Sequence, residues 1–364
     1  MAGLDLIVNK ADWSDFRFET SHADGDDLAA NEVLLRVDRF ALTSNNISYA
    51  SAGDMLDYWG FFPAAEPGRG RIPAMGFGDV IRSRHPDVAE GERVFGFFPM
   101  STHLRILADA VNPPGFVDGA PHRAKHAPAY RQYMRTGADA IYEEKYEDEI
   151  LLLRGLFMTS FLVDDFVADS DFFGARDLLI SSASSKTGIA LAFLAAKHGR
   201  GRVIGLTSAR NRSFVEDLGY YDETLLYKDV RSLDASVPTV FVDHAGDGQV
   251  VNDVHRHFGD KLAYSCVVGA THWSAPPRAG ELPGPAPEFF FAPGQIQKRS
   301  QEWGPAQLQE RLGGAWQEFR DASGRWLTVQ RSLGRAQVER AYREVLEGRA
   351  RPDRGHILSL HEPE

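Results

Sequence analysis

Residues Asp177 to Gly188 read DLLISSASSKTG, an apolar tetrapeptide that empties through serines and an alanine into the apolar run Ile189 to Lys197. A short buried strand, a turn of small residues and a helix start form the βα arrangement that sets backbone N–H groups and a helix N-terminus against a phosphate. Ala183, Ser185 and Gly188 take the three places of the G-x-G-x-x-G fingerprint, where close backbone approach and tight helix packing exclude large side chains. With Ser184, Lys186 and Thr187 between them, these residues are the expected cradle of a dinucleotide pyrophosphate. An ordinary strand-to-helix turn has the same look, so the next strand of the chain carries the deciding weight.

That second strand, Gly201-Arg-Val-Ile-Gly-Leu-Thr-Ser208, ends about 25 residues after the first, the spacing of a βαβ crossover. A cofactor with an unmodified ribose would call for Asp or Glu at this strand end, to accept from the 2′-hydroxyl. Thr207, Ser208, Ala209, Arg210, Asn211 and Arg212 stand there instead. Hydroxyl and guanidinium groups without a carboxylate suit a 2′-phosphate, so Ser208, Arg210 and Arg212 are expected to favour NADPH over NADH. Further strands are predicted at Thr239 to Val242 and Leu262 to Gly269, with a helix from Gln249 to Phe258 between them. This alternation predicts a doubly wound parallel sheet, a Rossmann arrangement. Asp243, His244 and Gly246 fall just past one strand end, where such sheets bind ligands, and Gly269 ends the next, where a small residue lets a nicotinamide lie against backbone.

In order along the chain, NEVLLRVDRFALTSNN from Asn31, IPAMGFGDVI from Ile72, DVAEGERVFGFFP from Asp87, the nucleotide unit and RGHILSL from Arg354 resemble the medium-chain dehydrogenase/reductase superfamily, in its zinc-free quinone-reductase-like branch. More narrowly, the whole chain resembles a related family defined only as a domain of unknown function. The resemblance implies a discontinuous, mainly-β GroES-like catalytic domain over 1–154 and 306–364, with an insertion at about 113–148, enclosing a Rossmann domain over 155–305. It also implies a homodimer, and it places Tyr227 against the ribose or its phosphate.

A chain of 364 residues with 43% hydrophobic content is long for a single core, in agreement with two domains. The net charge of −11 argues against nonspecific nucleic-acid binding, and no apolar run approaches a membrane span. Cys266 is the single cysteine, so no intramolecular disulfide or cysteine-rich metal site is expected, and a reducing, cytoplasmic setting is the simplest expectation. The start, MAGLDLIVNKADWSD, has no cationic end followed by an apolar segment, which agrees with that setting.

Zinc alcohol dehydrogenases use Cys and His ligands where this chain reads Ala41-Leu-Thr-Ser-Asn-Asn-Ile47, so no metal is expected. Without a metal, hydride delivery needs hydrogen-bond donors and a substrate that is itself a good acceptor. The resemblance puts Thr43, Ser44, Asn45, Asn46 and Tyr49 by the nicotinamide. Asn45, Asn46 and Tyr49 are the candidate catalytic residues, Tyr49 because a phenol can donate a proton to an enolate as hydride arrives. Adjacent asparagines after a strand are also a common turn. Aromatics in the loop Ala52 to Pro63 and at Phe289 to Phe291 read either as core or as the wall of a pocket for an apolar or aromatic substrate. The insertion reads as a lid loop with a short helix at Ala129 to Gly137. Lys298 and Arg299 read as phosphate partners or as solvated cations.

The sequence thus predicts an NADPH-dependent reductase of a conjugated carbonyl (enone or enoyl) or a quinone. Two alternatives stay open: a catalytically silent NADPH-binding or redox-sensing protein, and a dehydrogenase-fold lyase or isomerase that has lost the dinucleotide. Lys186, which makes the phosphate turn bulkier, speaks for the last.

Overall fold

The computed structural model describes residues 2–22, 25–268 and 281–363, so Gly269 lies outside the described residues. Two compact units divide the chain, Met1–Leu152 with Val329–Glu364, and Leu153–Thr328. In chain order the first contributes strands β1 (Ala2–Asn9), β2 (Asp12–His22), β3 (Glu32–Leu42), β4 (Arg69–Gly70), β5 (Pro73–Ser83), β6 (Arg93–Pro99), β7 (His103–Asn112), β8 (Gly115–Asp118) and β9 (Gln132–Arg135). The second holds β10 (Asp177–Ile180), β11 (Arg202–Thr207), β12 (Glu223–Leu226), β13 (Thr239–Asp243), β14 (Leu262–Val267) and β15 (Glu288–Phe289). The chain then returns to the first sheet through β16 (Thr328–Leu333) and β17 (Arg354–Ser359).

In the first unit eight strands run in the order β16-β17-β3-β5-β6-β9-β8-β7, and β7 pairs back onto β3, so six of them close a barrel. Phe40, Phe98, Phe116 and Tyr133, none more than 1% exposed, fill its core, while Phe77 packs on the other face of the sheet against Phe95 and Tyr142. Residues 113–148, expected as a lid loop, contribute two strands to this sheet. Their strands β8 and β9 join β7 to β6, and Gln132–Arg135, expected as helix, is strand. Tyr133 explains the difference, since its hydroxyl donates to the Phe97 carbonyl at 2.8 Å and its ring packs on Phe98 and Phe116.

The second unit has six parallel strands in the order β12-β11-β10-β13-β14-β15, which is 3-2-1-4-5-6 within the unit, the doubly wound order of dinucleotide-binding sheets. The run Leu178-Leu-Ile180 is buried on both faces, as a central parallel strand requires. Leu178 and Ile180 pack with Val163, Val167, Leu191 and Ala195 of the helices Gly155–Asp169 and Lys186–His198. Leu179 packs the other way, with Phe241 and with Val250, Val251 and Val254 of the helix Gly248–Phe258. Each such side chain stabilises the unit by roughly 1.5–3 kcal/mol relative to exposure. The unit runs on to Thr328, past the boundary at 305 expected from the sequence. The helix Pro305–Ser323 belongs with it because Phe319 stacks on Phe157 at 5.1 Å and meets Phe193 at 5.4 Å. No helix among the described residues is long and apolar enough to cross a membrane.

Candidate functional site

The order reversal of the parallel sheet falls between β10 and β13, and the segment Ser181–Gly188 leaves β10 there. Ser182 adopts a left-handed backbone, φ 49°, a conformation that L side chains seldom take. Ser185 caps the helix Lys186–His198, its Oγ accepting from Gly188 N at 3.1 Å. A Cβ on Gly188 would stand 2.9 Å from the Ser182 carbonyl oxygen, so this place of the fingerprint demands glycine. Ala183 is fully buried, and a Cβ on Gly205 of β11 would stand 2.9 Å from the Ala183 Cβ. Its carbonyl accepts from the Tyr221 hydroxyl at 2.8 Å. The small side chain of Ala183 therefore serves packing on the neighbouring strand. Lys186 and Thr187 open the helix, and the Thr187 carbonyl accepts from Ser160 Oγ at 2.8 Å.

Two other strand ends reach the same turn. From the segment after β11, Asn211 Nδ2 donates to Ser184 Oγ at 2.9 Å. From the end of β12, Tyr227 hydrogen-bonds Ser182, and burial pushes its phenol up to about 12. Ser208 is half-buried beside them, whereas Arg210 and Arg212 are exposed. Arg212 pairs with Glu216 one helical turn on, at 2.7 Å, with both side chains nearly half exposed. Thr207 Oγ1, buried at the end of β11, has no hydrogen-bond partner among the described residues.

The carboxylate nearest the reversal is consumed internally. Asp243 Oδ1 accepts from Ser181 Oγ at 2.5 Å and from Ala245 N at 3.0 Å, and Ser181 Oγ in turn accepts from His244 N at 2.9 Å. Burial alone holds the His244 imidazole down to about 4, so it is neutral at pH 7. Asp243 and His244 thus form a buried joint between β10 and β13.

The candidate catalytic residues lie in the first unit, on the helix Ser44–Ser51. Thr43 and Asn46 close its N-terminus as a reciprocal capping box. Asn46 Oδ1 accepts from Thr43 N at 2.7 Å and its Nδ2 donates to the Pro73 carbonyl at 2.9 Å, so the structure gives this buried amide a framework role instead of the expected catalytic one. Asn45 and Tyr49, one turn apart, hydrogen-bond each other, and burial raises the Tyr49 phenol well above its ordinary range. The Tyr49 ring lies 4.7 Å from Tyr58 and 6.1 Å from Phe97. Tyr58 hydrogen-bonds Tyr130, and Phe61 packs on Tyr130 at 5.3 Å and on His126 at 4.4 Å. Phenols from three segments therefore meet at one wall. Sequence reading missed Tyr58 and Tyr130 as companions of Tyr49, because barrel closure alone brings residues 49, 58 and 130 together.

All four loop aromatics, Tyr58, Trp59, Phe61 and Phe62, are buried, which agrees with the core reading, while Met55 and Leu56 are exposed. Arg299 pairs with Asp165 at 2.7 Å and with Asp169 at 3.0 Å, and Lys298 pairs with Asp169. Both cations thus brace the helix Gly155–Asp169, Arg299 buried and Lys298 still half exposed to solvent. Among the described residues no group of three His, Cys, Asp or Glu could hold a metal ion.

Structures of known proteins with the same architecture match the chain over its length. CurA of Vibrio vulnificus in complex with NADPH is 14% identical, with a TM-score of 0.58 over 99% of this chain and 100% of that one. The mitochondrial 2-enoyl thioester reductase Etr1p/Etr2p heterodimer of Candida tropicalis is 11% identical, with a TM-score of 0.57 over 99% and 100%. The human synaptic vesicle membrane protein VAT-1 homolog-like protein is 11% identical, with a TM-score of 0.53 over the whole of both chains. At such identities the likeness shows the fold alone, a barrel-bearing unit with a doubly wound parallel one. No curated protein matches the sequence. The family model described as "Protein of unknown function (DUF2855)" matches residues 40–351, most of the chain, and the protein belongs to that family.

Proposed function

We propose that the protein is an NADPH-dependent reductase that delivers hydride to a conjugated carbonyl, an enone or enoyl compound, or to a quinone, without zinc. One observation carries the reading: at the order reversal of a 3-2-1-4-5-6 sheet, a turn of small residues runs into a helix N-terminus while β11 ends in hydroxyls and arginines. The donor set fits the cofactor. Lys186 at the first position of a helix is unfavourable against the dipole by roughly 0.3–1 kcal/mol, and a bound pyrophosphate reverses that sign. Ala183, Ser184, Ser185, Lys186, Thr187 and Gly188 hold the pyrophosphate in this reading, Ser208, Arg210 and Arg212 the 2′-phosphate, and Tyr227 the ribose side. The exposed Arg212–Glu216 pair, screened by solvent, yields readily to a phosphate.

Bound NADPH supplies the hydride. Tyr49, kept protonated by burial and held by Asn45, supplies the proton to the reduced substrate. The Tyr49, Tyr58 and Phe97 rings favour an apolar or aromatic acceptor. The solved neighbours named as an NADPH complex and as an enoyl thioester reductase agree with this chemistry. We extend the reading to a cytoplasmic homodimer.

Fluorescence titration with NADPH and NADH, followed by NADPH oxidation across quinones and enones, tests it. Saturable binding that prefers NADPH, with consumption by at least one acceptor class, is the expected result; absence of saturable NADPH binding ends the proposal. A second reading rests on the partners the turn already has, Tyr227 on Ser182 and Asn211 on Ser184. It is a lyase or isomerase working without a dinucleotide, and it requires that neither nucleotide bind.

A further inference from the structure

A hollow of about 750 Å3 opens on the first unit where β7 and β17 meet alongside β3. Arg36, Arg82, His103, His361 and Glu90 are among the residues that line it. Arg36 stands directly opposite His103 in the β3–β7 ladder, so the two side chains emerge on one face. The His361 ring meets His103 edge-on at 5.9 Å. His361 Nε2 donates to the Val37 carbonyl at 2.9 Å, which fixes that ring in place. Thr102 Oγ1 accepts from Leu4 N at 2.8 Å and holds His103 Nδ1 at 3.0 Å, so Nε2 is the His103 nitrogen without a partner among the described residues.

The charge arrangement around Arg36 differs from that of its neighbours. Arg93 pairs with Asp38, Asp79 and Glu147, Arg39 with Asp38 and Asp148, and Arg105 with Asp27. Arg36 has no carboxylate within ion-pair distance among the described residues, in a chain of net charge −11. Glu90 is the carboxylate in the hollow, and it sits 3.7 Å from Arg82 with both side chains more than half exposed. Two guanidinium groups, one of them without an ion-pair partner among the described residues, thus share a recess with two imidazoles, in a volume suited to a small molecule.

We propose that this recess is a binding site for a small organic anion, which it holds by a phosphate or carboxylate group between the Arg36 guanidinium and His103 Nε2, with Arg82 at the rim. The site is independent of the nucleotide turn. Burial, His361 and Arg36 together keep His103 down, to about 4, and burial and Arg36 lower His361, against which Asp38 pulls upward. Both rings are therefore neutral at pH 7 when the recess is empty. An arriving anion favours the imidazolium form, so binding takes up a proton and tightens as pH falls.

Calorimetric titration of the full chain with inorganic phosphate, glycerol phosphate and succinate at low ionic strength tests the site, the three probes separating phosphate from carboxylate recognition. Saturable binding of at least one probe is expected, about tenfold or more weaker in Arg36→Ala and unchanged in Arg351→Ala, an exposed arginine paired with Asp353. Affinity should rise from pH 8 to pH 6, and His103→Gln should flatten that rise. Movement of the His103 ring resonances in the unaltered protein gives a reading that does not depend on any variant folding. No saturable binding, binding indifferent to Arg36→Ala, binding lost in Arg351→Ala, or unmoved His103 resonances would each overturn it.

Discussion

The turn after β10 and the aromatic wall at Tyr49 are built by opposite means. The turn is one contiguous stretch whose shape comes from backbone: a left-handed Ser182, a capping Ser185 and a Gly188 against which no Cβ fits. The wall is assembled from side chains of three distant segments, Tyr49, Tyr58 with Phe61, and Tyr130, brought together by closure of the barrel. A backbone cradle tolerates few substitutions, and under the proposed function it would recognise what phosphates share. A side-chain wall can be recut one ring at a time, and under the proposed function it is where preference among acceptors would be set.

Replacing Tyr49 by Phe removes one hydroxyl and keeps the wall, so turnover should fall by about 10²–10⁴-fold while NADPH affinity holds, as measured by kcat at saturating cofactor. Equal losses in both would show that the wall and the cradle are not separable in this way. Gly188→Val attacks the other side, overpacking the turn by roughly 1–3 kcal/mol and weakening NADPH about 10–100-fold in a fluorescence titration. Arg212→Ala should narrow the preference for NADPH over NADH about tenfold with no change in melting temperature, because the pair it breaks is exposed.

The buried joint beneath the turn has its own signature. His244 is held down to about 4 against about 6.5 in an unfolded chain, so the unfolded state binds the extra proton between those values. Stability is full above pH 6.5 and is lost as pH falls toward 4. Denaturant melts at successive pH values should show the loss, and His244→Gln should reduce its slope. The smallest effect is at the cap: Asn46→Ala should cost about 1 kcal/mol, read as a drop of a few degrees in thermal melting with cofactor binding intact.

Much of the nucleotide unit was legible because its signals are local. Leu178 to Ile180 is a continuous apolar run, the helix from Lys186 is capped by its own serine, and the strand spacing reflects one crossover length. The features that escaped were short or depended on distant partners. β12 has four residues and β15 two, too few for a period to show. β8 and β9 look like loop and helix until β6 and β7 are beside them. Lys298 and Arg299 find their carboxylates on a helix about 130 residues earlier in the chain, beyond any spacing rule. The framework role of Asn46 was within reach, since Thr43-x-x-Asn46 has the spacing of a reciprocal cap and its side chain is long enough to return to Thr43 N.

Six strands are joined in a ring because β8 and β9 bridge what would otherwise be a gap between β6 and β7. Trimming residues 113–148 to shorten the chain would unzip that gap and bare two rows of amide groups to any neighbouring molecule. The segment that looks most dispensable in the sequence is thus the one whose removal would turn a self-contained fold into an aggregation seed.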